Sequence, residues 1–560
     1  MDFKEEIVNI LRIIIEIDSN LIEIPPNSQL GDFSVPCHKF AKELKKSPNQ
    51  ISADLAKKIK INKFFSKIVN NGPYLNFFVN KSILIENNLL NIYNQGKNYG
   101  STDIGAGKNI VVDYSSPNIA KPFGIAHIRS TVIGNSICKI YSALGYNVIR
   151  INHLGDWGTQ FGKLMVAYLK WGDEKQLEKD GINYLVEIYI EFGKKAKENP
   201  LLNDEAREWF KNLESGNPKA VELWRKFREL SLEEFNKYYE MLEIEFDYFH
   251  GEAFYNEQLN DIIGIIKSKI KTEISEGALI IDLNDKGIDT PLLLKKSDGA
   301  TTYHTRDLAA AFYRLKHFTP EKIIYVVGIP QKLHFNQLFT VLEMLGEDRN
   351  RFVYVDFGTM TFEGEMMSTR KGNFIPLSDV IGKAIKIAKE IIEEKNPSLQ
   401  DKEKVAEQIG IGSVIFGDLL NERTHDIDFS WEKAVNLKGE TAPYIQYTHA
   451  RICSIERKAD IDIKKIVNFN LLATSIEFEL TKLLGVFPDK IIQAANTYKP
   501  HIIATYLINI AQIFNKFYDQ CIIIKEKPDL RDARLLLAES TRIVLENGLK
   551  LLGIHAPKEM

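Results

Sequence analysis

The stretch from residue 109 to residue 151 constrains the fold of this chain more than any other. It begins with an apolar, β-branched run from Asn109 to Val112, which predicts a buried strand. A polar loop follows, and then a helical pattern of apolar residues runs from His127 to Leu144. A second strand is predicted from Val148 to Ile151. Strand, loop, helix and strand form a right-handed βαβ unit, whose loop lies at the carboxyl edge of a parallel sheet, where such folds bind ligands.

The loop of this unit excludes two familiar nucleotide motifs. It contains neither GxGxxG nor GxxxxGK[ST], so it is not a dinucleotide fingerprint and not a P-loop. It instead places His127 at the start of a helix, where phosphate oxygens are favourably bound.

Length and composition bound the class of protein. A chain of 560 residues is long enough for several domains, and its formal net charge of −3 leaves any polyanion to local basic patches. Its four cysteines form no CxxC pair, which argues against a disulfide framework and a structural zinc site and favours a reducing compartment. No signal peptide and no apolar run of about 20 residues is found, so we expect a cytoplasmic protein without a membrane partner.

A second βαβ-like half follows residue 297, after a charged, largely helical stretch. Two such halves around an insertion at about 172–300 predict a doubly wound sheet with a cleft. Tyr303 and Asp307 are four residues apart and share one face of a helix start, and Gln331 follows a neighbouring strand. Such a set would suit a cationic, multi-donor head such as a guanidinium. A helix-capping aspartate and a solvated glutamine explain these residues equally well.

The remaining segments carry weaker signals. The polar, basic turn at 364–373 suits a triphosphate clamp or is only a loop. Residues 1–105 predict a small α/β domain whose lysines either meet a phosphate backbone or form a solvated face. The chain after residue 377 is helical, and its aromatic residues with interleaved arginine and lysine suit either a base-stacking platform or a core.

Taken together, the motifs of this chain resemble the arginyl-tRNA synthetases, a family of class I aminoacyl-tRNA synthetases, over nearly its whole length. The resemblance is carried by five segments and the C-terminal end: DYSSPNIAKP at 113–122, LGDWGTQFG at 154–162, SDGA at 297–300 with TRDL at 305–308, the loop at 331–337, MMSTR at 366–370, and LLGIHAPKEM at 551–560.

The resemblance implies a fold and a domain order. The fold would be an α/β doubly wound, Rossmann-like catalytic domain with an insertion, between a small α/β domain and an α-helical bundle. The implied domains are a tRNA-binding addition at 1–105, the catalytic domain at 106–375, a helical connecting region at 376–435 and an anticodon-binding bundle at 436–560.

The resemblance also implies an activity, the ligation of L-arginine to tRNA(Arg) through an arginyl-adenylate. ATP would be a substrate accompanied by Mg²⁺, with no metal site on the protein, and the enzyme would be a monomer. The implied arginine site consists of Asp113, Ser116, Asn118, His127, Tyr303, Asp307 and Gln331. The implied ATP site consists of Gly124, Ala126, His127, Met367, Ser368, Arg370 and Lys371. Catalysis would fall to His127, Lys121, Lys371 and Ser368, and tRNA contacts to Tyr444, Tyr447, Tyr518 and Met560.

Two signatures depart from the family pattern. Gly124 stands where the first histidine of the HIGH-like site would be, and Ala126 replaces its glycine. In the KMSKS-like loop Met366 and Thr369 replace both lysines. We hypothesise that Lys121 supplies the missing charge, with Lys371 as the alternative.

The departures leave two other functions open. One is a catalytically silent relative that only binds tRNA, against which the retained guanidinium pocket argues. The other is a class I synthetase for another amino acid. A cysteine enzyme would need zinc ligands that the sequence lacks, and an aliphatic substrate would not suit Asp307.

Overall fold

The structure is a computed structural model that describes residues 3–362, 364–366, 375–429, 439–463 and 465–560. The chain forms two compact units that interleave along the sequence. The first comprises residues 1–99, 451–487 and 509–547, and the second comprises residues 100–450, 488–508 and 548–560. The boundaries at 105, 375 and 435 stay predictions.

The N-terminal part of the first unit is a small α/β fold. Its three strands pair antiparallel in the order β1-β3-β2. The strand Tyr74–Val79 follows the turn residues Gly72 and Pro73. The elements are α1 (Phe3–Leu11), β1 (Phe33–Pro36), α2 (Ala41–Leu44), α3 (Pro48–Lys58), β2 (Phe65–Asn71), β3 (Tyr74–Val79) and α4 (Lys81–Gln95).

The βαβ unit predicted at 109–151 is present in the second unit as β4 (Asn109–Asp113), α5 (Ile125–Ala143) and β5 (Asn147–Ile151). The insertion follows β5. It contains α6 (Thr159–Trp171), α7 (Glu174–Glu198), α8 (Leu201–Glu214), α9 (Pro218–Met241), α10 (Leu259–Lys269), β6 (Glu273–Ser275), β7 (Ala278–Ile281) and β8 (Leu292–Lys295). The charged, largely helical stretch predicted here is confirmed, and Gly216, with a φ of +77°, separates α8 from α9.

The second half of the sheet comprises α11 (Tyr303–Phe318), β9 (Lys322–Gly328), α12 (Lys332–Met344) and β10 (Phe352–Phe357). All pairings among the four strands are parallel, in the order β10-β9-β4-β5. The insertion therefore lies between two halves of one sheet, as predicted. Because the strands are parallel, the ends of β4, β5 and β9 meet at one edge. Apolar side chains of helices α10, α11 and α12 pack against one face of the sheet, which contributes Val111, Ile151 and Tyr325. Helix α5 packs against β4, β5 and β9.

The rest of the chain is mainly helical, as expected. Its elements are β11 (Met360–Phe362), β12 (Glu365–Met366), α13 (Leu377–Lys395), α14 (Lys402–Leu419), β13 (Ile427–Phe429), α15 (Ala442–Ala459), α16 (Ser475–Gly485), α17 (Phe487–Thr497), α18 (His501–Gln520) and α19 (Pro528–Leu551). In the first unit α16 packs on α4, where Asn88 Nδ2 donates to the Thr481 carbonyl at 3.2 Å. None of the described helices combines the length and apolar character needed to cross a bilayer.

A buried arginine connects α5 to the segments that follow the sheet. Arg129 and Asp418 have side chains that are each 1% exposed, and Arg129 Nε donates to Asp418 Oδ2 at 2.9 Å. The guanidinium also donates to the carbonyls of Gly358, His425 and Arg423. A buried charge with this many partners is compensated, whereas a buried charge that loses its counter-ion is not.

Replacing Asp418 with alanine should therefore destabilise the fold strongly. We expect the free energy of unfolding to fall by about 3–5 kcal/mol, because Arg129 would remain buried without a carboxylate. Urea denaturation followed by circular dichroism measures this change. Asp519→Ala, at an exposed site near the end of α18, is the control and should change it by about 0.5 kcal/mol or less. Equal effects of the two variants would contradict the role given to the pair.

Candidate active site

The loop after β4 has an unusual backbone. Ser115, Ser116 and Ala120 have φ values of +69°, +47° and +57°, in the left-handed region that favours glycine. Each such residue costs on the order of 1 kcal/mol, so surrounding contacts must hold the loop in this shape. Strained backbone of this kind is concentrated at functional sites.

Helix α9 of the insertion provides part of that support. The Tyr239 hydroxyl lies 2.9 Å from Ser115 Oγ and also accepts from Asn152 Nδ2 at 2.9 Å. Further along the loop, the Ala120 N–H donates to Ser231 Oγ at 2.9 Å. The insertion is thus a structural part of the site.

The glycine-rich turn after β5 supports the loop from the other side. Gly155 N donates to the Pro117 carbonyl at 3.1 Å, and Ile119 N donates to the Gly155 carbonyl at 3.3 Å. A Cβ on Gly155 would lie 2.3 Å from Asn118 Oδ1, so only glycine allows this approach. Asp156 in the same turn is buried and accepts from Arg228 Nε at 3.0 Å.

Asp113, the last residue of β4, is paired inside the protein. Its Oδ2 lies 2.8 Å from Arg314 Nη1, and the two side chains are 7% and 1% exposed. Its Oδ1 accepts from Ser116 Oγ at 3.0 Å. The charge of Asp113 is therefore largely offset before any ligand binds, and its carboxylate orients the serine of the loop.

Helix α11 presents Tyr303, Asp307 and Arg314 on one face, since they are spaced by four and seven residues. Asp307 Oδ2 lies 2.6 Å from His334 Nε2, and Asp307 Oδ1 lies 3.5 Å from His153 Nε2. Burial by itself raises the pKa of Asp307, but the contacts with His153 and His334 outweigh it and hold that pKa below its ordinary value. Asp307 is consequently ionised at neutral pH.

These side chains open onto one large cleft of about 1520 Å³ at the carboxyl edge of the sheet. Six of the seven residues assigned to arginine line it: Asp113, Ser116, Asn118, Tyr303, Asp307 and Gln331. Gln331 is exposed and immediately precedes α12, whereas His127 is not among the lining residues. The structure thus brings together assigned residues from three parts of the chain, 113–118, 303–307 and 331.

His127 lies in the first turn of α5. Its Nδ1 accepts from the Gly124 N–H at 3.1 Å. Burial, and then the charge of Lys121, lower the pKa of His127 to about 4. The imidazole is therefore neutral at pH 7 with its proton on Nε2, a hydrogen-bond donor at the helix N-terminus.

The chain that follows the basic turn returns to the same helix N-terminus. Ile125 N donates to the Ile375 carbonyl at 3.3 Å, and Leu377 N donates to the Phe123 carbonyl at 3.1 Å. The predicted ATP contacts Met367, Ser368, Arg370 and Lys371 lie outside the described residues, as does the side chain of Ala126.

The residues assigned to tRNA occupy separate positions. Tyr447 on α15 is 40% exposed and Tyr444 is half-buried. Tyr518 on α18 is 41% exposed, and the Arg451 guanidinium lies 5.1 Å from its ring centre. The Met560 carbonyl accepts from Asn396 Nδ2 at 3.0 Å.

Several residues at the site were not assigned from the sequence. Arg314, His153, His334, Glu252 and Tyr239 all contact or face the assigned residues. The spacing from Asp307 to Arg314 is the one local signal that could have identified a partner. Glu252 lines the cleft, and burial raises its pKa to about 7. Among the described ranges, no group of three or more His, Cys, Asp or Glu side chains is arranged to hold a metal ion.

Comparison with family models assigns most of the chain. Residues 88–431 match the catalytic domain of class I tRNA synthetases (R). Residues 445–560 match the DALR anticodon binding domain, and residues 1–79 match the arginyl tRNA synthetase N terminal domain.

Known proteins give the same result at full length. The chain is 46% identical to an arginine–tRNA ligase of Halothermothrix orenii and 45% identical to one of Clostridioides difficile, covering 100% of both chains in each case. Its fold is similar to arginyl-tRNA synthetase of Thermus thermophilus (TM-score 0.82, 24% identity) and to that of Plasmodium falciparum (TM-score 0.80, 26% identity), with 100% of this chain and 99% of the other covered in each. The α/β catalytic domain with its insertion, the matched domains and the full-length identity show that the chain belongs to the arginyl-tRNA synthetase family of class I aminoacyl-tRNA synthetases.

Proposed function

We propose that the cleft binds L-arginine with its guanidinium at Asp307, as the amino-acid site of an arginine–tRNA ligase. The observation that carries this proposal is the ionised carboxylate of Asp307, which faces a cleft beside Tyr303 and Gln331. In the reaction, the arginine carboxylate attacks the α-phosphate of ATP, which gives arginyl-adenylate and diphosphate. A terminal ribose hydroxyl of tRNA(Arg) then attacks the arginyl carbonyl and releases AMP.

Charge balance distinguishes the two aspartates of the cleft. Asp113 is already paired with Arg314, whereas the neighbours of Asp307 are imidazoles, which are neutral whenever they carry one proton. A planar guanidinium donates two parallel hydrogen bonds to a carboxylate, an arrangement that an ammonium does not reproduce. Asp307 therefore suits arginine better than lysine, and the exposed Tyr303 and Gln331 would border the same head group.

The other end of the amino acid would lie on the strained loop. Ser116 is oriented by Asp113, and Asn118 is exposed to the cleft next to Gly155. These polar groups would hold the α-amino and carboxylate groups of arginine. Positioning the carboxylate for in-line attack is the main contribution that such a site makes to the rate.

ATP would bind at the first turn of α5. The neutral His127 would donate its Nε2–H to an oxygen of the nucleotide, and Gly124 and Ala126 would lie beside it at the helix N-terminus, which favours anions. Lys121 is near enough to depress the pKa of His127, which supports its assignment as the cation that faces the phosphates. Met367, Ser368, Arg370 and Lys371 would contact the triphosphate from the basic turn.

Mg²⁺ would enter with ATP, whose phosphate oxygens are its preferred ligands. When bound, it would offset negative charge on the triphosphate. The protein residues would position the nucleotide.

We further propose that the N-terminal domain and the helical bundle bind tRNA(Arg), with Tyr444, Tyr447, Tyr518 and Met560 at the bundle surface. Two exposed tyrosine rings, one of them beside an arginine, suit the stacking of unpaired bases. We also propose that the protein is a cytoplasmic monomer whose domains are separated at residues 105, 375 and 435.

Replacing Asp307 with asparagine tests the arginine site. We expect kcat/KM for arginine to fall by roughly 30- to 1000-fold, because the guanidinium loses its ionic partner, while the KM for ATP stays within about threefold. Steady-state aminoacylation with varied arginine measures both. Asp298→Asn, an exposed carboxylate at the cleft rim, is the matched control and should behave as the wild type. An unchanged Asp307→Asn enzyme would remove this assignment.

Two alanine variants decide which lysine replaces the missing signature lysines. We expect Lys121→Ala to lower ATP–diphosphate exchange by about 100-fold and Lys371→Ala to lower it by about tenfold or less, since Lys121 lies close enough to His127 to lower its pKa. Exchange is measured with tRNA(Arg) present, and Lys332→Ala, at an exposed position, is the control. The reverse order of the two effects would assign the role to Lys371.

The contact between the insertion and the loop gives another prediction. Tyr239→Phe removes the hydroxyl that meets Ser115 and Asn152, so we expect the KM for arginine to rise about three- to tenfold. The neighbouring Tyr238→Phe is the control, because its hydroxyl contacts Glu234 on its own helix. Steady-state kinetics that show the same KM for both variants would contradict a positioning role for Tyr239.

A further inference from the structure

Two histidines from distant parts of the sequence converge on the carboxylate of Asp307. His334 approaches from α12 and places Nε2 2.6 Å from Oδ2. His153 approaches from the end of β5 and places Nε2 3.5 Å from Oδ1. The side chains of His334 and His153 are 7% and 14% exposed, so both rings are largely withdrawn from water.

Packing fixes the orientation of the two rings. His153 Nδ1 lies 3.1 Å from the His250 carbonyl oxygen and 3.4 Å from Arg314 Nη2. The ring of His334 is surrounded by aromatic rings, with centroids 4.7 Å from His304 and 5.0 Å from Tyr303. Neither imidazole is therefore a free surface group that happens to lie near the carboxylate.

The charge state of these rings decides what Asp307 offers to a ligand. As neutral imidazoles both rings leave the carboxylate its full negative charge, and His334 donates its Nε2–H to it. As imidazolium ions they offset that charge, and a guanidinium would then be an additional cation at the same carboxylate. Like charges a few ångströms apart in a partly buried site repel strongly.

We propose that His153 and His334 are positioning and specificity residues for arginine, which hold Asp307 in place, and that His153 must be neutral when the guanidinium binds. The inference rests on the proposed arginine site at Asp307. It assigns to the two histidines a function that the motifs of the sequence do not indicate. Arginine binding should accordingly expel protons from this cluster, and arginine affinity should rise as pH rises through the titration of His153.

Other ionisable groups surround Asp307 on several packed elements. On α11, Arg314 is paired with Asp113 of β4, and Arg306 lies within electrostatic range of Glu252 and Glu214. His304 and Tyr303 of α11 and Tyr325 of β9 are uncharged at neutral pH, since burial, and then His334, lower the pKa of His304 to about 4, while burial raises the pKa of both tyrosines. Asp156 is paired with Arg228. Glu252, whose pKa burial raises to about 7, could also produce a pH dependence of arginine binding.

The sign of the pH effect follows from these contacts. Burial lowers the pKa of His153, but its contact with Asp307 and the charge of Asp113 raise it by more, so that pKa lies above its ordinary value. A bound guanidinium disfavours the protonated form of His153 and therefore lowers the pKa of His153. Arginine affinity is therefore fully present above the pKa of the free enzyme and is lost as pH falls below it.

The first experiment uses the unmodified enzyme. Calorimetric titration with L-arginine at pH 6.0 and at pH 8.0, in buffers of different ionisation enthalpy, measures the protons exchanged. We expect release of about one proton per arginine bound at pH 6.0 and about none at pH 8.0. No proton release at pH 6.0 would overturn the proposal without any variant.

The second experiment assigns the protons. The KM for arginine is measured from pH 5.5 to 8.5 in the wild type, His334→Gln and His153→Gln, because glutamine keeps an N–H donor but does not titrate. We expect the wild-type KM to rise by up to about tenfold per pH unit below the pKa of His153, and the profile of His153→Gln to be flatter. His317→Gln, on the exposed side of α11, is the control and should keep the wild-type slope.

Glu252→Gln separates the histidines from the competing carboxyl group. If the slope disappears in Glu252→Gln and persists in both histidine variants, the proposal is wrong. Asp307→Asn distinguishes a failure of this inference from a failure of the proposed arginine site. If Asp307→Asn leaves the KM unchanged, the arginine site itself is misassigned, whereas a raised KM combined with unaltered slopes in the histidine variants overturns only this inference.

Discussion

The buried ion pair between Asp113 and Arg314 is the interaction on which the site depends. A carboxylate at the end of a central strand is costly to bury without a partner, and the helix α11 supplies that partner. The pair fixes α11 against the end of β4, so that the same face of the helix carries Tyr303 and Asp307 into the cleft. It also leaves Asp307, not Asp113, as the carboxylate whose charge faces the ligand.

The loop after β4 shows why the insertion belongs to the site. Three of its non-glycine residues have left-handed backbones, which a free loop would not hold in place. Contacts from Tyr239 and Ser231 of α9, and from Gly155 of the following turn, compensate for that strain. Pre-organisation of this kind places the polar groups of the loop before the substrate arrives.

The sequence departures at Gly124 and in the basic turn can be understood in the same terms. Gly124 needs no side chain to act here. Its N–H donates to His127 Nδ1, which leaves the proton of the neutral imidazole on Nε2. Lys121 lies close enough to influence that ring. A cation placed before the helix is physically able to replace one lost from the segment that precedes Ile375, whose carbonyl accepts from Ile125 at the start of the same helix, since charge stabilisation depends on position and not on the segment that supplies it.

The sequence by itself determined much of the local structure and, through its motifs, the family of the protein. The strands at Tyr74–Val79, Lys322–Gly328 and Phe352–Phe357 follow from apolar runs bounded by turn residues. The motifs were sufficient to assign Tyr303, Asp307 and Gln331 to one predicted pocket. Local patterns succeed here because helical and strand periodicities are properties of neighbouring residues.

Only the tertiary structure decided which charges offset one another. His153 and His334 are separated from Asp307 by 154 and 27 residues, and Tyr239 is 124 residues from Ser115, so no sequence period connects them. The interleaving of the two compact units was equally invisible in chain order. Charge compensation and loop support act across distances of a few ångströms in space, which the sheet and the packed helices create only once the chain has folded.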